Sequence, residues 1–279
     1  MKVLVTGANG QLGYDVIEVL KLRNIECCGT TRNDFDLCDF TSAEKFITAF
    51  HPDVIIHCAA YTAVDKAEEE KELCRAVNAV GTENIAKICK KINAKMLYIS
   101  TDYVFDGTKK GFYEVDDMPN PINVYGQTKL EGEQAVQKIL DRYFIVRISW
   151  VFGKHGNNFV KTMLRLGKER KEINVVSDQV GSPTYTVDLA LLLVDMIQTD
   201  KYGIYHATNE GECSWAEFAE EIFKVAGMNV NVKHITSNEY PTKANRPQNS
   251  RMGKKCLTNN GFRKLPKWEE SLRYFLIKE

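Results

Sequence analysis

The sequence carries no excess charge: Lys plus Arg and Asp plus Glu each number 37, for a formal net charge of zero. Without a basic field, nucleic acid is not an expected partner, and any anionic ligand must be met by local groups. A hydrophobic run of membrane-spanning length is also missing, and the apolar stretch at the N-terminus is too short for a signal peptide. A cytoplasmic location with no membrane partner is expected. No C-x-x-C pair occurs among the eight cysteines, Cys27, Cys28, Cys38, Cys58, Cys74, Cys89, Cys213 and Cys256. Their spacing is irregular, and several sit inside apolar runs such as "VIIHCAA" around Cys58. They read as free thiols in a reducing compartment, with neither a disulfide framework nor a zinc site. Internal repeats, low-complexity tracts and flexible linkers are lacking too. What is present is an ordinary globular composition, 44% apolar over 279 residues, enough for one large domain or two unequal ones.

The first half alternates between short apolar runs and helical periods. "KVLVTG" is a strand ending in glycine, and Leu12, Val16, Val19, Leu20 and Leu22 then recur at helical spacing. "IECCGTT" is the next strand, followed by "SAEKFITAF", a helix capped by Thr41 or Ser42. "DVIIHCAA" is apolar throughout, as a strand buried on both sheet faces would be. "KELCRAVNAVGTENIAKICKKIN" reads as one long helix, "KMLYIST" as a strand, "YGQTKLEGEQAVQKIL" as a helix and "YFIVRIS" as a strand. Such alternation predicts an α/β fold, a Rossmann-type doubly wound parallel sheet. After Trp150 the rhythm loosens into amphipathic helices, an apolar helix "TVDLALLLVDMIQT" suited to pack on the sheet, one more strand "GIYHAT", and an ordered loop "EYPTKANRPQNSRM". Residues 1–150 plus 184–207 are expected to form the coenzyme domain, and 151–183 plus 208–279 a smaller mixed α/β substrate domain. The ligand site would lie in the crevice between them.

Four strand ends carry candidate chemistry. "TGANGQLG" spaces Gly7, Gly10 and Gly13 as G-x-x-G-x-x-G between a strand and a helix. Glycines there let backbone N–H groups approach a pyrophosphate at the positive helix end. At the second strand end stand Thr30, Thr31 and Arg32, where dinucleotide sites place an acid for ribose hydroxyls or an arginine for a 2′-phosphate. Arg32 either accepts NADPH or points to solvent and leaves both coenzymes open, and Asp39 either caps the next helix or contacts the adenine. Ala59 and Ala60 at the third strand end suit close passage of a coenzyme, while His57 within that strand is expected to be a satisfied core histidine. The fourth strand end, "STDYVFDG", adds the hydroxyls of Ser100 and Thr101 and the carboxylate of Asp102.

Tyr125 and Lys129 then fall four residues apart at the start of the next helix, on one face. A free phenol, with a pKa of about 10, is a sluggish acid near neutrality. A fixed cation beside it is expected to lower that value and make Tyr125 a better proton donor. Lys129 would also reach the nicotinamide ribose, and Thr101 would hydrogen-bond the substrate oxygen.

"TGANGQLG", a strand-end Thr101 and "YGQTK" together resemble the extended short-chain dehydrogenase/reductase superfamily. "AAYTAVDKAE", "YISTDYVFDG", "NVYGQTKLEGE", "RISWVFG", "NNFVKTML", "DQVGSPTYTVDLA" and "RPQNSRM" are similar to its dTDP-4-dehydrorhamnose reductase family, in order over nearly the whole chain. The resemblance implies reduction of the 4-keto group of dTDP-4-dehydro-6-deoxy-L-mannose by NADPH or NADH. It implies that Gly10, Gln11 and Leu12 touch the coenzyme phosphates, that Asp39 and Phe40 lie by the adenine, and that Ala59, Ala60 and Tyr61 run along the coenzyme's middle. Thr101, Tyr125 and Lys129 match the family's catalytic threonine, tyrosine and lysine, and Trp150 matches a residue lining the sugar pocket. Arg246 in "RPQNS" either meets the substrate's diphosphate or anchors its loop. Thr31 stands where some members carry an acid, which leaves coenzyme preference open. Some members are magnesium-bridged dimers, but the segment "WEESLRYFLIKE" offers no recognisable ligand set, so no metal is expected; the state is monomer or homodimer. Two alternatives stand beside this. One is a reductase or epimerase for another 4-keto nucleotide sugar. The other is a non-catalytic nucleotide-binding subunit resembling the regulatory subunit of methionine adenosyltransferase, against which the intact Thr101, Tyr125 and Lys129 argue.

Overall fold

Strands that are apolar at nearly every position must be covered on both faces, and the computed structural model, which describes residues 1–278, shows how. Five strands come from the first half: β1 (Lys2–Thr6), the more exposed edge strand β2 (Glu26–Thr30), β3 (Val54–His57), β4 (Lys95–Thr101) and β5 (Tyr143–Ile148). Short ladders follow, β6 (Val151–Phe152), β7 (Glu172–Val176), β8 (Val180–Gly181) and β9 (Thr184–Tyr185). Then come β10 (Gly203–His206), β11 (Cys213–Ser214), β12 (Asn231–Ile235) and β13 (Asn249–Ser250). One six-stranded sheet runs in the order β10-β5-β4-β3-β1-β2, every pair parallel. The order reverses between β1 and β3, so the crevice beyond Thr6 and His57 is the topological switch point, where open α/β sheets bind ligands.

The helices are α1 (Gln11–Leu22), α2 (Phe40–Phe50), α3 (Val64–Ala67), α4 (Lys71–Arg75), α5 (Thr82–Ile92) and α6 (Val124–Ile139). They continue with α7 (Phe159–Glu169), α8 (Thr186–Ile197), α9 (Trp215–Val225), α10 (Lys255–Asn259) and α11 (Trp268–Lys278). Alternate strand residues feed opposite layers. Val3, Val5 and Ile56 pack with Val16 of α1 and Leu189 and Leu193 of α8, while Leu4 and Ile55 pack with Ile47 of α2, Ile88 of α5 and Val136 of α6. The apolar helix α8 thus lies on the sheet as its composition requires. A separate core forms from α7, α9 and α11 around Phe152, Phe218, Ile222 and Phe275. It is braced by parallel pairs β7–β12 and β6–β9 and by a three-stranded ladder β11-β8-β13.

Two local expectations are corrected. Helix α2 begins at Phe40, and its cap is Asp39, whose Oδ1 accepts from Thr41 N at 3.1 Å and Ser42 N at 3.2 Å. The long helix after Glu70 is interrupted: α4 and α5 are joined by a π-helical turn at Ala76–Gly81. Such turns recur at functional sites. Here the turn carries Asn78, whose Oδ1 accepts from Tyr61 N at 2.8 Å and whose Nδ2 donates to Thr128 Oγ1 at 3.2 Å. The widened turn therefore ties the loop after β3 to α6.

Candidate active site

A cleft of about 820 Å³ opens at the carboxyl end of the parallel sheet. Its floor is the glycine loop. Gly7 has φ +69°, and a Cβ on it would stand 2.8 Å from the Ala59 backbone. A Cβ on Gly13 would stand 2.2 Å from Gly7 O, so any side chain there would force β1 and α1 apart. Gly10 occupies the N-cap of α1 and supplies no side chain to bond the first amides. Those amides and the dipole behind them suit an anion, and the cradle closed by the glycines fits a dinucleotide pyrophosphate. Gly7, Gly10, Gln11, Leu12, Gly13, Ala59, Ala60 and Tyr61 all line the cleft, as does Arg32. Arg32 is 82% exposed, with its nearest carboxylate, Asp36, 3.7 Å away. Asp34, by contrast, is turned back: its Oδ2 accepts from Thr31 N at 2.7 Å and Thr31 Oγ1 at 3.0 Å.

Opposite the glycine loop stand the ends of β4 and the first turn of α6. Asn123 caps α6 by accepting from Gly126 N at 2.8 Å. A Cβ on Gly126 would lie 2.1 Å from Tyr103 O, so only glycine lets α6 press against the turn after β4. That contact brings Tyr125, Lys129, Thr101 and Asp102 to one wall. Thr101 Oγ1 donates to Asp102 Oδ1 at 3.0 Å and accepts from Tyr103 N at 3.2 Å. Asp102 is 2% exposed, and burial pushes its carboxyl up to about 6. The neighbouring Ser100 Oγ has no partner in the protein, so the wall holds an unsatisfied hydroxyl suited to a polyhydroxylated ligand. Lys129 donates from Nζ to Ile99 O at 2.7 Å and lies 4.1 Å from the centre of the Tyr98 ring. Burial pulls its ammonium down to about 7.

The expected lowering of the Tyr125 phenol is not what this wall produces. Burial pushes the phenol above its ordinary value; the chief opposing influence is the adjacent Thr101 hydroxyl. The physical reason is burial of the phenol; the Lys129 ammonium bonds the Ile99 carbonyl. His57 is the core histidine expected, with Nδ1 2.7 Å from Thr6 Oγ1, Nε2 3.2 Å from Thr82 Oγ1, and burial holding it neutral with a pKa of about 3.

A family model described as the RmlD substrate binding domain matches residues 1–279. The chain belongs to the RmlD family. Similar RmlD-type proteins include a dTDP-4-dehydrorhamnose reductase of Sinorhizobium fredii, 40% identical over 98% of this chain and 96% of that one. The spore coat polysaccharide biosynthesis protein SpsK of Bacillus subtilis is 38% identical over 99% of this chain and 96% of its own. Among solved structures, dTDP-4-dehydrorhamnose reductase from Bacillus anthracis in complex with NADP superposes with a TM-score of 0.97. It is 46% identical and covers 100% of this chain and 99% of that one.

The RmlD-type cleft gathers most residues singled out in the sequence, but not all. Asp39 and Phe40 do not line it; Asp39 is spent on capping α2, and Phe40 packs against the layer of α2, α5 and α6. Arg246 is also outside it, in a two-pronged pair with Asp65, Nη1–Oδ1 3.2 Å and Nη2–Oδ2 2.8 Å. In this conformation it anchors its loop to α3. Trp150 does line the cleft, with φ +49°, a left-handed backbone unusual for a bulky side chain. Its indole stacks on Trp215 at 3.7 Å, and a Cβ on Gly181 would come within 2.8 Å of it. Trp215 gave no sequence signal beyond its place on an amphipathic helix. Neither did the strap at 153–158, where Gly156 and Asn157 reach the cleft and Asn158 Nδ2 donates to Gln11 Oε1 at 3.0 Å. Among the described residues no cluster of three or more His, Cys, Asp or Glu could hold a metal, and no helix is long and apolar enough to cross a membrane.

Proposed function

We propose that the cleft reduces the 4-keto group of dTDP-4-dehydro-6-deoxy-L-mannose, giving dTDP-L-rhamnose, with NADPH or NADH as coenzyme. The observation that carries this is the meeting of Tyr125, Lys129 and Thr101 on one wall of the switch-point cleft, opposite a glycine cradle shaped for a pyrophosphate. Family membership and the NADP complex of a relative 46% identical support it. When bound, the reduced nicotinamide supplies the hydride; the chain's own residues position the ketone and deliver the proton.

Gly7, Gly10, Gln11, Leu12 and Gly13 would hold the pyrophosphate, Ala59, Ala60 and Tyr61 would flank the coenzyme's middle, and Arg32 would meet a 2′-phosphate. Lys129 would bond the nicotinamide ribose while keeping Ile99 O. Tyr125 would donate its proton to the sugar oxygen, and the Thr101 hydroxyl would turn its proton from Asp102 Oδ1 to that same oxygen, stabilising the charge that develops there. Asp102 and Ser100 would bond sugar hydroxyls, and Trp150 would wall the sugar pocket. Arg246 would have to leave Asp65 to meet the diphosphate.

The division into residues 1–150 plus 184–207 for coenzyme and 151–183 plus 208–279 for substrate belongs to the same proposal, as do action in the cytoplasm and a monomeric or homodimeric state. The division is supported by α8 packing on α1, β10 extending the parallel sheet, and the separate core of α7, α9 and α11. The test is initial rates with NADH and NADPH on enzymatically generated dTDP-4-keto sugar, with and without chelator, beside other 4-keto nucleotide sugars. Turnover of the dTDP substrate above the rest is expected, unaffected by chelator; absence of turnover on it contradicts the assignment.

A further inference from the structure

Tyr125, Lys129 and Glu133 stand at steps of four along α6, on one helix face. Lys129 and Glu133 are both buried, 2% and 1% exposed, yet they do not pair with each other. Glu133 is held instead by Arg147 of β5, Nε–Oε1 2.9 Å and Nη2–Oε2 2.7 Å. Arg147 is equally buried, with its guanidinium 5.0 Å from the Phe105 ring centre and Nη1 3.4 Å from His206 Nε2. This is an expensive arrangement: two desolvated charges in the layer beneath the cleft, where an apolar pair of equal volume would be at least as stable. A buried pair kept at such a place calls for a role beyond stability.

The groups facing Lys129 show what that role is. From β4 comes the Tyr98 ring, from the end of β3 His57 and Cys58, from α4 Cys74, and from its own helix Glu133, which carries Arg147 of β5 behind it. His57 is held neutral at about 3, Cys58 is pushed up to about 12, and burial raises Cys74 and Tyr98 as well, so these are uncharged at neutral pH. Glu133 is the one anion in that set. Burial works against the Lys129 ammonium, and the Glu133 charge is the largest influence opposing it. An unclamped carboxylate one turn away would draw Nζ into a direct ion pair and out of the cleft. Arg147 bonds both carboxylate oxygens and so holds Glu133 toward β5.

We propose that Glu133, clamped by Arg147, is a positioning residue that favours the charged form of Lys129 at the coenzyme site without bonding to it. The proposal rests on the assignment of Lys129 to the coenzyme ribose. It predicts a readout that a purely structural pair would not move: the pH dependence of NADPH affinity. Binding is measured by quenching of tryptophan fluorescence from pH 6 to 9 on wild type, Glu133→Gln, Glu133→Asp, and the double variant Glu133→Gln with Arg147→Met, which leaves no stranded guanidinium. In wild type, affinity weakens as Lys129 loses its proton. In Glu133→Gln the weakening starts roughly half a pH unit or more lower, about threefold in Kd at a fixed pH on that limb, and in the double variant, which also removes the Arg147 cation, it moves the same way by less. Glu133→Asp keeps the charge and restores the wild-type limb, whatever it does to kcat. A folded Glu133→Gln or double variant with an unmoved limb overturns the proposal. A wild type that binds NADPH with no pH dependence overturns the Lys129 assignment and the proposal with it, and one that binds no NADPH contradicts the proposed function itself.

Discussion

The two walls of the cleft are built differently. The wall of β1, β3, β4 and α6 rests on consecutive parallel strands, with Gly13 and Gly126 leaving no room for a Cβ and Asn78, Asn123 and Thr101 fixing the turns. The opposite wall is made of Trp150 in a left-handed backbone and the strap at 153–158, braced by ladders of two residues a strand. The difference teaches where each task belongs. Groups that move a proton need positions fixed to a fraction of an ångström, which packed strands and helices supply. Groups that select a sugar are carried on irregular chain, which varies without disturbing the sheet.

The largest expected effect tests the rigid wall. Tyr125→Phe keeps the ring against Tyr103, a 5.6 Å edge contact, and removes only the hydroxyl. It should lower kcat by roughly 10²–10⁴-fold with NADPH affinity unchanged, read by single-turnover rates and fluorescence titration. A loss under tenfold would erase the contrast between the walls. Next is the irregular wall. Trp150→Ala removes the indole stacked on Trp215 and should raise KM for the sugar nucleotide by about tenfold or more, with KM for NADPH nearly constant. If kcat alone fell instead, Trp150 would belong with the chemical wall.

The smallest effect concerns Asp102, beside Thr101 on the rigid wall. Its carboxyl is raised from 3.8 to about 6, so the folded state holds the proton more tightly than the unfolded state. The folded protein is therefore favoured below about pH 4, loses that advantage as pH rises through about 6, and carries the full penalty above it, on the order of 2–3 kcal/mol. Asp102→Asn should melt several degrees higher than wild type at pH 7.5, with the gap closing at pH 4 in thermal melts without ligands. Equal melting temperatures at both pH values would show that Asp102 is not held at a cost.

The same contrast explains what the sequence disclosed. Strands such as "VIIH" of β3 are legible because burial on both faces demands apolar residues at every position. The Tyr125–Lys129 spacing is legible because i, i+4 is a helical face. The π-helical turn is not, since "AVNAVG" keeps an ordinary apolar period and the reason for Asn78 lies in Tyr61, 17 residues away. Arg246 could not be placed because its partner Asp65 is 181 residues distant. The capping role of Asp39 was one of two readings of the same residue, and only the position of the cleft separates them. Two-residue strands such as β6, β8 and β9 carry no period to detect, and nothing in "RISWVFG" announces that Trp150 takes a left-handed backbone.

The most direct measurement is a crystal structure of the protein with NADP and the dTDP-sugar together. The account predicts the Tyr125 hydroxyl within about 2.6–3.2 Å of the sugar's O4, beside the Thr101 hydroxyl, with C4 of the nicotinamide about 3–3.5 Å from C4 of the sugar. A complex in which the sugar is bound but the Tyr125 hydroxyl faces away from O4 would contradict it.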